Sequence, residues 1–149
     1  MEIQKWNKKD VLFDTHLDMD YATKDFCDVY YVAGQGFCVL NHKPKYTLYA
    51  RLGIPEIQDI FVLPECRGQG IATSLIRHCE SLCKVDMIGI SVPVTSAFGT
   101  AQRLYARLGY IPDGNGVTYD RDIVPTGTLA RADENLCLML VKDLNPNEG

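Results

Sequence analysis

The sequence predicts an α/β fold in which one mixed β-sheet is flanked by helices. A β-rich run, an amphipathic helix and a second apolar run succeed one another between Ile57 and Val92, the pattern of a β-α-β unit with a parallel crossover. Two more β-rich runs flank a glycine turn at 34–36, which predicts an antiparallel hairpin. The chain of 149 residues has the length of one domain, so we assign residues 1–149 to a single domain.

The first part of the chain predicts helices followed by the hairpin. Residues from about Asp10 to Phe26 have roughly helical apolar spacing, which indicates one or two short helices. The segment Tyr46–Leu52 fits either a further strand or an excursion from the sheet. The predicted strands of this part are Val29–Ala33, Phe37–Leu40 and Ile57–Leu63, the last ended by Pro64.

The second part contains the best-defined helix. Its apolar side chains recur on one stripe, formed by Ile71, Ala72, Leu75, Ile76, Cys79, Leu82 and Cys83. Met87–Val92 reads as a buried strand that ends at Pro93. A second helix runs from about Ala97 to Leu108, with Gly109 in the position that often follows a helix. Leu136–Val141 is predicted to be the last strand.

Composition excludes several classes of protein. A net charge of −4 argues against a general nucleic-acid binder. No apolar run approaches the ~18 residues of a membrane span, and the N-terminal residues lack a signal-peptide core. We therefore expect a cytoplasmic protein without membrane contact. The 6 cysteines and 3 histidines form no zinc-binding spacing, so no metal is expected and the thiols are expected to be reduced.

The turn between Phe61 and Ala72 is the most informative segment. It joins a strand to a helix through two glycines, Gly68 and Gly70, which permit close approach of another molecule. The free N–H groups of the helix N-terminus favour a negative charge there, as in a pyrophosphate site. No lysine follows Gly70, which excludes a Walker A loop. A dinucleotide-binding fingerprint lacks its third small residue, because Thr73 occupies that position, so NAD stays a weak alternative.

This turn resembles the coenzyme A pyrophosphate loop of the GNAT superfamily of N-acetyltransferases. The matching pattern is Arg-x-x-Gly-x-Ala at 67–72, preceded by Val-x-Pro at 62–64. A second segment, 101–110, resembles the family's Leu-Tyr helix followed by Leu-Gly-aromatic. Together the motifs span Glu56 to Tyr110. One departure is Phe98, which occupies the position where the family often has an asparagine that contacts the pantetheine arm.

The resemblance implies acetyl-CoA as co-substrate and assigns its contacts. The pyrophosphate is expected at Arg67, Gly68, Gln69, Gly70, Ile71 and Ala72. The pantetheine is expected to lie between two splayed parallel strands and to pair with the backbone of Ile60, Phe61 and Val62. A backbone N–H near Val62 would face the thioester oxygen as an oxyanion donor.

The chemistry also needs a base, because an alkylamine with a pKa near ~10 is protonated at pH 7. Many relatives carry a glutamate at the start of this strand, which here is Glu56. Alternation places Glu56, Gln58 and Ile60 on one face, and Ile57, Asp59 and Phe61 on the other. Glu56 is thus the first candidate, with Asp59 or a water relay as alternatives unless a bulge intervenes. Tyr105 is the candidate acid for the departing thiolate, although its stripe position also fits a core tyrosine.

The predicted function is acetyl transfer from acetyl-CoA to a primary amine of a small molecule or peptide. The alternative from another class is a non-catalytic, acetyl-CoA-binding regulatory module, which would bind the cofactor without releasing thiol. The polar stretch from Asp120 to Asn135 is where acceptor binding is expected, since binding residues concentrate on loops. Family members are often dimers, so a homodimer is left open.

Overall fold

The computed structural model describes residues 1–8 and 22–145. Within that part of the chain, one eight-stranded sheet has the order β1-β2-β3-β4-β5-β8-β6-β7. Its strands are Gln4–Lys5 (β1), Cys27–Val32 (β2), Gly36–Asn41 (β3), Glu56–Val62 (β4), Met87–Pro93 (β5), Ile111–Tyr119 (β6), Asp122–Ile123 (β7) and Leu136–Asp143 (β8). β4 and β5 pair in parallel, while the other neighbours are antiparallel, so the predicted mixed sheet is confirmed.

Three α-helices of the described residues cover the two faces of this sheet: Thr47–Leu52 (α1), Ile71–Leu82 (α2) and Gly99–Arg107 (α3). Four residues of the predicted stripe of α2 pack with Tyr105 of α3 against one face of the central strands: Ile71, Leu75, Ile76 and Cys79. Leu82 of that stripe is exposed. The other face carries a cluster around Tyr46, Tyr49 and Met139 under α1, and a separate cluster around Trp6 and Phe37. The helical periodicity in the sequence therefore identified the face that α2 buries.

The segment 46–52 shows how a small residue positions a helix. It forms α1, so the alternative that this segment is a further strand was wrong. The ring of Tyr49 lies against Gly89 of β5, where an added Cβ would come within 2.5 Å of the ring. The Tyr49 hydroxyl donates to the carbonyl oxygens of Ile90 and Leu140. α1 is thus anchored on the sheet by one buried phenol, a tertiary contact that local propensity does not reveal.

Three strands, β1, β6 and β7, were not predicted, and one helix boundary differs from the prediction. β6 and β7 form a hairpin in a region where the sequence indicated only loops, because β6 is interrupted by a register shift between Pro112 and Val117. α3 begins at Gly99, since Ser96–Phe98 forms a 3₁₀ turn first. The helices predicted before Phe26 lie mostly on residues 9–21, outside the described residues. Among the helices described, none has the length and apolar character to cross a membrane.

Candidate functional site

A cleft opens where the parallel strands β4 and β5 separate. The two strands pair at Glu56 with Gly89 and at Ile57 with Ile90, and beyond these residues they no longer pair with each other. The space beside the diverging ends has a volume of about 650 Å³. Backbone groups of β4 that would otherwise pair with β5 therefore face an open space, as the splayed-strand prediction requires.

A β-bulge in β4 sets which side chains face this cleft. Asp59 and Ile60 together lie opposite one β3 residue, Cys38, because the register shifts between the Phe37–Phe61 and Val39–Gln58 pairs. Asp59 adopts a left-handed conformation with φ of 53°. The bulge reverses the alternation, so that Ile60 packs on the same core as Ile57. The expectation that Ile60 shares a face with Glu56 and Gln58 was therefore wrong.

The cleft is lined by strands β4 and β5, helix α3 and the segments near the β6–β7 turn. Side chains from β4 and β5 form one end, and Phe98, Ala101 and Tyr105 form a wall. Phe98 thus occupies the wall position where the family's asparagine was expected. The polar side chains of the lining are Lys45, Gln58, Asp59, Ser91, Asp120, Arg121, Glu134 and Asn135.

Glu56 lies behind this lining rather than in it. The residue is 0% exposed at the first position of β4. Its Oε2 accepts a hydrogen bond from Arg121 Nη2 at 2.7 Å and a longer one from the Ser91 hydroxyl at 3.4 Å. Its Oε1 is buried without a hydrogen-bond partner in the described part of the chain. The carboxyl group is therefore close to the cleft but separated from it by Arg121 and Ser91.

The electrostatics of Glu56 reflect two opposing effects. Burial raises the pKa of this carboxyl group above its ordinary value, and the charge and hydrogen bond of Arg121 offset part of that increase. Burial also disfavours the charged guanidinium, but the Glu56 carboxylate outweighs this and raises the pKa of Arg121. Arg121 stays charged, while Glu56 takes up a proton more readily than an exposed glutamate.

Tyr105 meets the cleft from α3. The residue is buried, yet its side chain belongs to the cleft wall. Burial raises the pKa of its phenol well above 10, with a further contribution from Cys38. The hydroxyl consequently keeps its proton over the neutral and mildly alkaline range, which suits a proton donor.

The glycine loop follows β4 directly. Pro64–Cys66 forms a 3₁₀ turn, and Gly68 and Gly70 have φ of 78° and 82°. An added Cβ at either glycine would have no protein atom within 4 Å. Gly70 is the N-cap of α2 and provides no capping side chain, so the first-turn N–H groups of Ile71 and Ala72 point toward open space. This exposed backbone is suited to an anion.

Arg67 is held back against β4. Its Nε donates to the Val62 carbonyl oxygen at 3.0 Å, and its guanidinium lies 5.9 Å from the centre of the Phe61 ring. The N–H of Leu63 donates to the carbonyl oxygen of Gln35, which lies in the β2–β3 turn. The Val62 carbonyl belongs to the same peptide group as this N–H and points the opposite way, away from the β2–β3 turn. The edge of β4 near Val62 is thereby turned toward the loop.

A family model for the "Acetyltransferase (GNAT) domain" matches residues 27–112. This match covers more than half of the chain. The protein belongs to the GNAT acetyltransferase family. The predicted family membership, and with it the class of acyl-CoA N-acyltransferase at the level of the family, is confirmed. No curated protein sequence matches the chain at a significant level.

Solved structures show the same fold. The spermidine/spermine N-acetyltransferase SpeG from Vibrio cholerae, in mutant forms, aligns with a TM-score of 0.55 and 17% identity over 85% of this chain and 72% of its own. A putative acyl-CoA N-acyltransferase from Klebsiella pneumoniae aligns with a TM-score of 0.54 and 15% identity, over 87% of this chain and 80% of its own. Nourseothricin acetyltransferase aligns with a TM-score of 0.54 and 20% identity over 79% of this chain. The alignment covers only 64% of that protein.

The structure brings some of the predicted residues together and separates others. Ile60 and Tyr105 line the cleft, and Glu56 lies behind it, while residues 67–72 lie past the end of β4 and form no part of its lining. Sequence reasoning missed Ser91, although a single polar residue within the apolar run 87–92 was a usable signal. It placed Arg121 only within a polar loop, since nothing local in the sequence connects that residue to Glu56.

Proposed function

We propose that this protein transfers the acetyl group of acetyl-CoA to a primary amine of a small molecule or peptide. The observation that carries the proposal is the cleft between the diverging ends of β4 and β5, which has a buried carboxyl group behind it and a phenol in its wall. Backbone edges, a proton acceptor and a proton donor are what this reaction requires of the protein.

The residues of this chain fit acetyl-CoA. The loop from Arg67 to Ala72 would hold the pyrophosphate, because its glycines leave open space and its backbone N–H groups lie at the N-terminus of α2. The pantetheine would pair with the backbone of β4 along the segment of Ile60, Phe61 and Val62. Acetyl-CoA supplies the activated acetyl thioester. The N–H and the carbonyl of Val62 point to the same side of β4. The Val62 N–H would therefore donate a hydrogen bond to the acetyl oxygen.

Glu56 is the proton acceptor in this proposal. An amine that enters the cleft must lose a proton before its lone pair can attack. A buried carboxylate whose pKa is raised by burial accepts that proton more readily than an exposed one. Asp59 lines the cleft directly and is the alternative acceptor. Variants at the two positions separate these assignments.

Tyr105 is the proton donor for the departing thiolate. Its phenol lies in the cleft wall and retains its proton at neutral pH. A thiol with an ordinary pKa of about 8.5 leaves without full protonation, so the donor assists the reaction but is not indispensable to it. We therefore assign Tyr105 a smaller share of the rate than Glu56.

The charge of the cleft supports a cationic acceptor. Its lining includes three carboxylate side chains and two cationic ones, and Arg121 is already paired with Glu56. The other charged side chains of the lining are Asp59, Asp120, Glu134 and Lys45. A negative surface of this kind attracts protonated amines. Spermidine and nourseothricin, named for two structural neighbours, are therefore rational first members of an acceptor panel.

The proposal is tested in two steps with purified protein. Calorimetric titration with acetyl-CoA, run beside NAD, should show micromolar or tighter binding of acetyl-CoA and none of NAD. Free thiol should then appear when acetyl-CoA is mixed with an accepted amine from a panel of polyamines, aminoglycoside-like antibiotics and lysine peptides. Mass spectrometry of the product should show one added acetyl group.

Two outcomes would contradict the proposal. Tight acetyl-CoA binding without thiol release for any amine would favour the regulatory module instead. The absence of acetyl-CoA binding would remove the cofactor assignment, and binding of NAD in its place would favour the dinucleotide alternative.

A further inference from the structure

Ser91 stands between Glu56 and the open cleft. Its side chain lines the cleft, whereas Glu56 is fully buried and absent from the lining. The Ser91 hydroxyl donates to Glu56 Oε2 at 3.4 Å and accepts a hydrogen bond from Arg121 Nη2 at 3.2 Å. Ser91 therefore joins the buried carboxyl group to the space in which an acceptor would bind.

The hydrogen-bonding capacity of this hydroxyl is only partly used. A serine hydroxyl has one proton to donate and two lone pairs that accept. Contacts within the described part of the chain use the proton, toward Glu56, and one lone pair, toward Arg121. The second lone pair is left for an N–H group in the cleft, and an acceptor ammonium provides such a group.

We propose that Ser91 relays the proton of the acceptor ammonium to Glu56, with Arg121 as the positioning residue for both. This inference rests on the acetyl-transfer function proposed above. An N–H bond of the ammonium breaks and its proton passes to Ser91 Oγ, while the proton of the Ser91 hydroxyl passes to Glu56 Oε2. The amine keeps the electron pair, the serine is neutral before and after, and Glu56 ends as a carboxylic acid.

The position of Arg121 supports a dedicated role. It reaches Glu56 from the β6–β7 turn, 65 residues further along the chain. Asp120 and Arg121 both have left-handed backbones, with φ of 50° and 70°, which non-glycine residues rarely adopt. Lys45 Nζ donates to the Asp120 carbonyl at 2.9 Å, and the Asp120 N–H donates to the Asn135 carbonyl at 3.1 Å. The surrounding contacts therefore hold this turn in a strained conformation that presents Arg121 to Glu56 and Ser91.

The groups that face Glu56 define the expected pH behaviour. Burial raises the pKa of its carboxyl group, and Arg121 and Ser91 lower it in part. Asp59 raises it slightly. Two more groups interact with Glu56 from neighbouring elements, the phenol of Tyr49 in α1 and the thiol of Cys137 in β8. Burial raises the pKa of the Tyr49 phenol, and it raises the pKa of the Cys137 thiol to about 11. Both are neutral at pH 7, so loss of either the Arg121 charge or the Ser91 hydroxyl should raise the pKa of Glu56.

The first test compares S91A with S91T, which keeps the hydroxyl. With an amine that the wild type accepts, S91A should lower kcat by about tenfold or more, since a positioned proton-transfer group contributes at least that much. S91T should stay within about threefold of the wild type, and both should bind acetyl-CoA with unchanged Kd. In an E56Q background, S91A should cause no further loss, because both residues serve one step.

The second test begins with a measurement that does not depend on turnover. Infrared titration follows the carboxyl band of Glu56, identified by its disappearance in E56Q. The pKa of Glu56 should increase in S91A and in R121Q, which retains a hydrogen-bond donor but not the charge, and should be unchanged in S91T. The acid limb of the kcat/KM profile should move to higher pH in R121Q by about one unit.

The outcomes separate this inference from the proposed function. A loss in S91A of less than tenfold, equal losses in S91A and S91T, or an unchanged Glu56 pKa in S91A would overturn the relay. A wild type that releases no thiol with any amine would instead refute acetyl transfer. That result would also refute the relay, even if the infrared titration showed that Ser91 and Arg121 contact Glu56.

Discussion

The glycine loop after β4 and the Glu56 cluster at its start differ in how far apart their residues lie in the chain. The loop uses neighbouring residues, 62–72, and its backbone groups remain exposed. The cluster joins Glu56 to Ser91, 35 residues away, and to Arg121, 65 residues away, and it is buried. The loop at the end of β4 is therefore suited to hold a common cofactor through backbone groups, and the cluster at the start of β4 is suited to perform proton transfer through side chains.

This contrast predicts that changes at the two ends alter different measurable quantities. Substitutions in the loop should weaken acetyl-CoA binding, whereas substitutions in the cluster should reduce turnover with binding unchanged. The following predictions test that separation, in decreasing order of expected effect.

Glu56→Gln should produce the largest loss. The amide keeps the shape of the side chain but cannot accept a proton, so kcat should decrease by roughly 10²–10⁴-fold. Steady-state kinetics with an accepted amine measures this, and calorimetry should give an unchanged Kd for acetyl-CoA. Asp59→Asn is the matched control, with the full kcat expected. If D59N rather than E56Q abolished turnover, the base would be Asp59.

Gly70→Ala should weaken acetyl-CoA binding by roughly tenfold or more, because a new methyl group would press on the pyrophosphate and steric strain of this kind costs about 1–3 kcal/mol. Gly53→Ala is the matched control, since both glycines have positive φ and open space around an added Cβ. The two variants should lose similar folding stability, measured by thermal unfolding. Equal Kd values for both would remove the loop from the cofactor site.

Tyr105→Phe should lower kcat by about tenfold, less than E56Q, because a thiolate is an adequate leaving group without a proton donor. Tyr110→Phe is the control: the two rings are in contact, but the Tyr110 hydroxyl donates to Glu80 Oε2 at 2.8 Å rather than lining the cleft. Y110F should reduce stability and leave kcat unchanged. Equal kcat losses in the two variants would assign Tyr105 a packing role.

Acid should loosen the loop between β7 and β8, the smallest of the expected effects. The Tyr119 hydroxyl donates to Asp133 Oδ2 at 2.7 Å and, with the Asn135 N–H, holds the pKa of Asp133 below its usual value. Because the folded pKa is the lower one, this stabilisation is complete above the unfolded pKa of about 3.9 and disappears as pH falls through the folded value.

Hydrogen exchange of the loop amides between pH 5 and 3 checks this. The protection lost on acidification should be smaller in Tyr119→Phe, which keeps the ring but lacks the hydroxyl. An identical pH dependence in the variant and the wild type would contradict the prediction.

Local patterns in the sequence determined much of this protein. The stripe of α2, the hairpin around 34–36 and the strand–glycine turn–helix that joins β4 to α2 are all encoded by neighbouring residues. Such signals are reliable because periodicity and turn chemistry act within a few residues. Glu56 and Tyr105 were predicted as site residues in the same way, through their positions relative to motifs of the family.

Tertiary structure decided the rest. The bulge at Asp59 and Ile60 depends on pairing with β3, and the helix at 47–52 depends on the contact between Tyr49 and Gly89. The partnership of Glu56 with Ser91 and Arg121 arises only when β4, β5 and the β6–β7 turn come together. A buried charge is stabilised by whichever cation the fold brings to it, and a linear sequence carries no record of that distance.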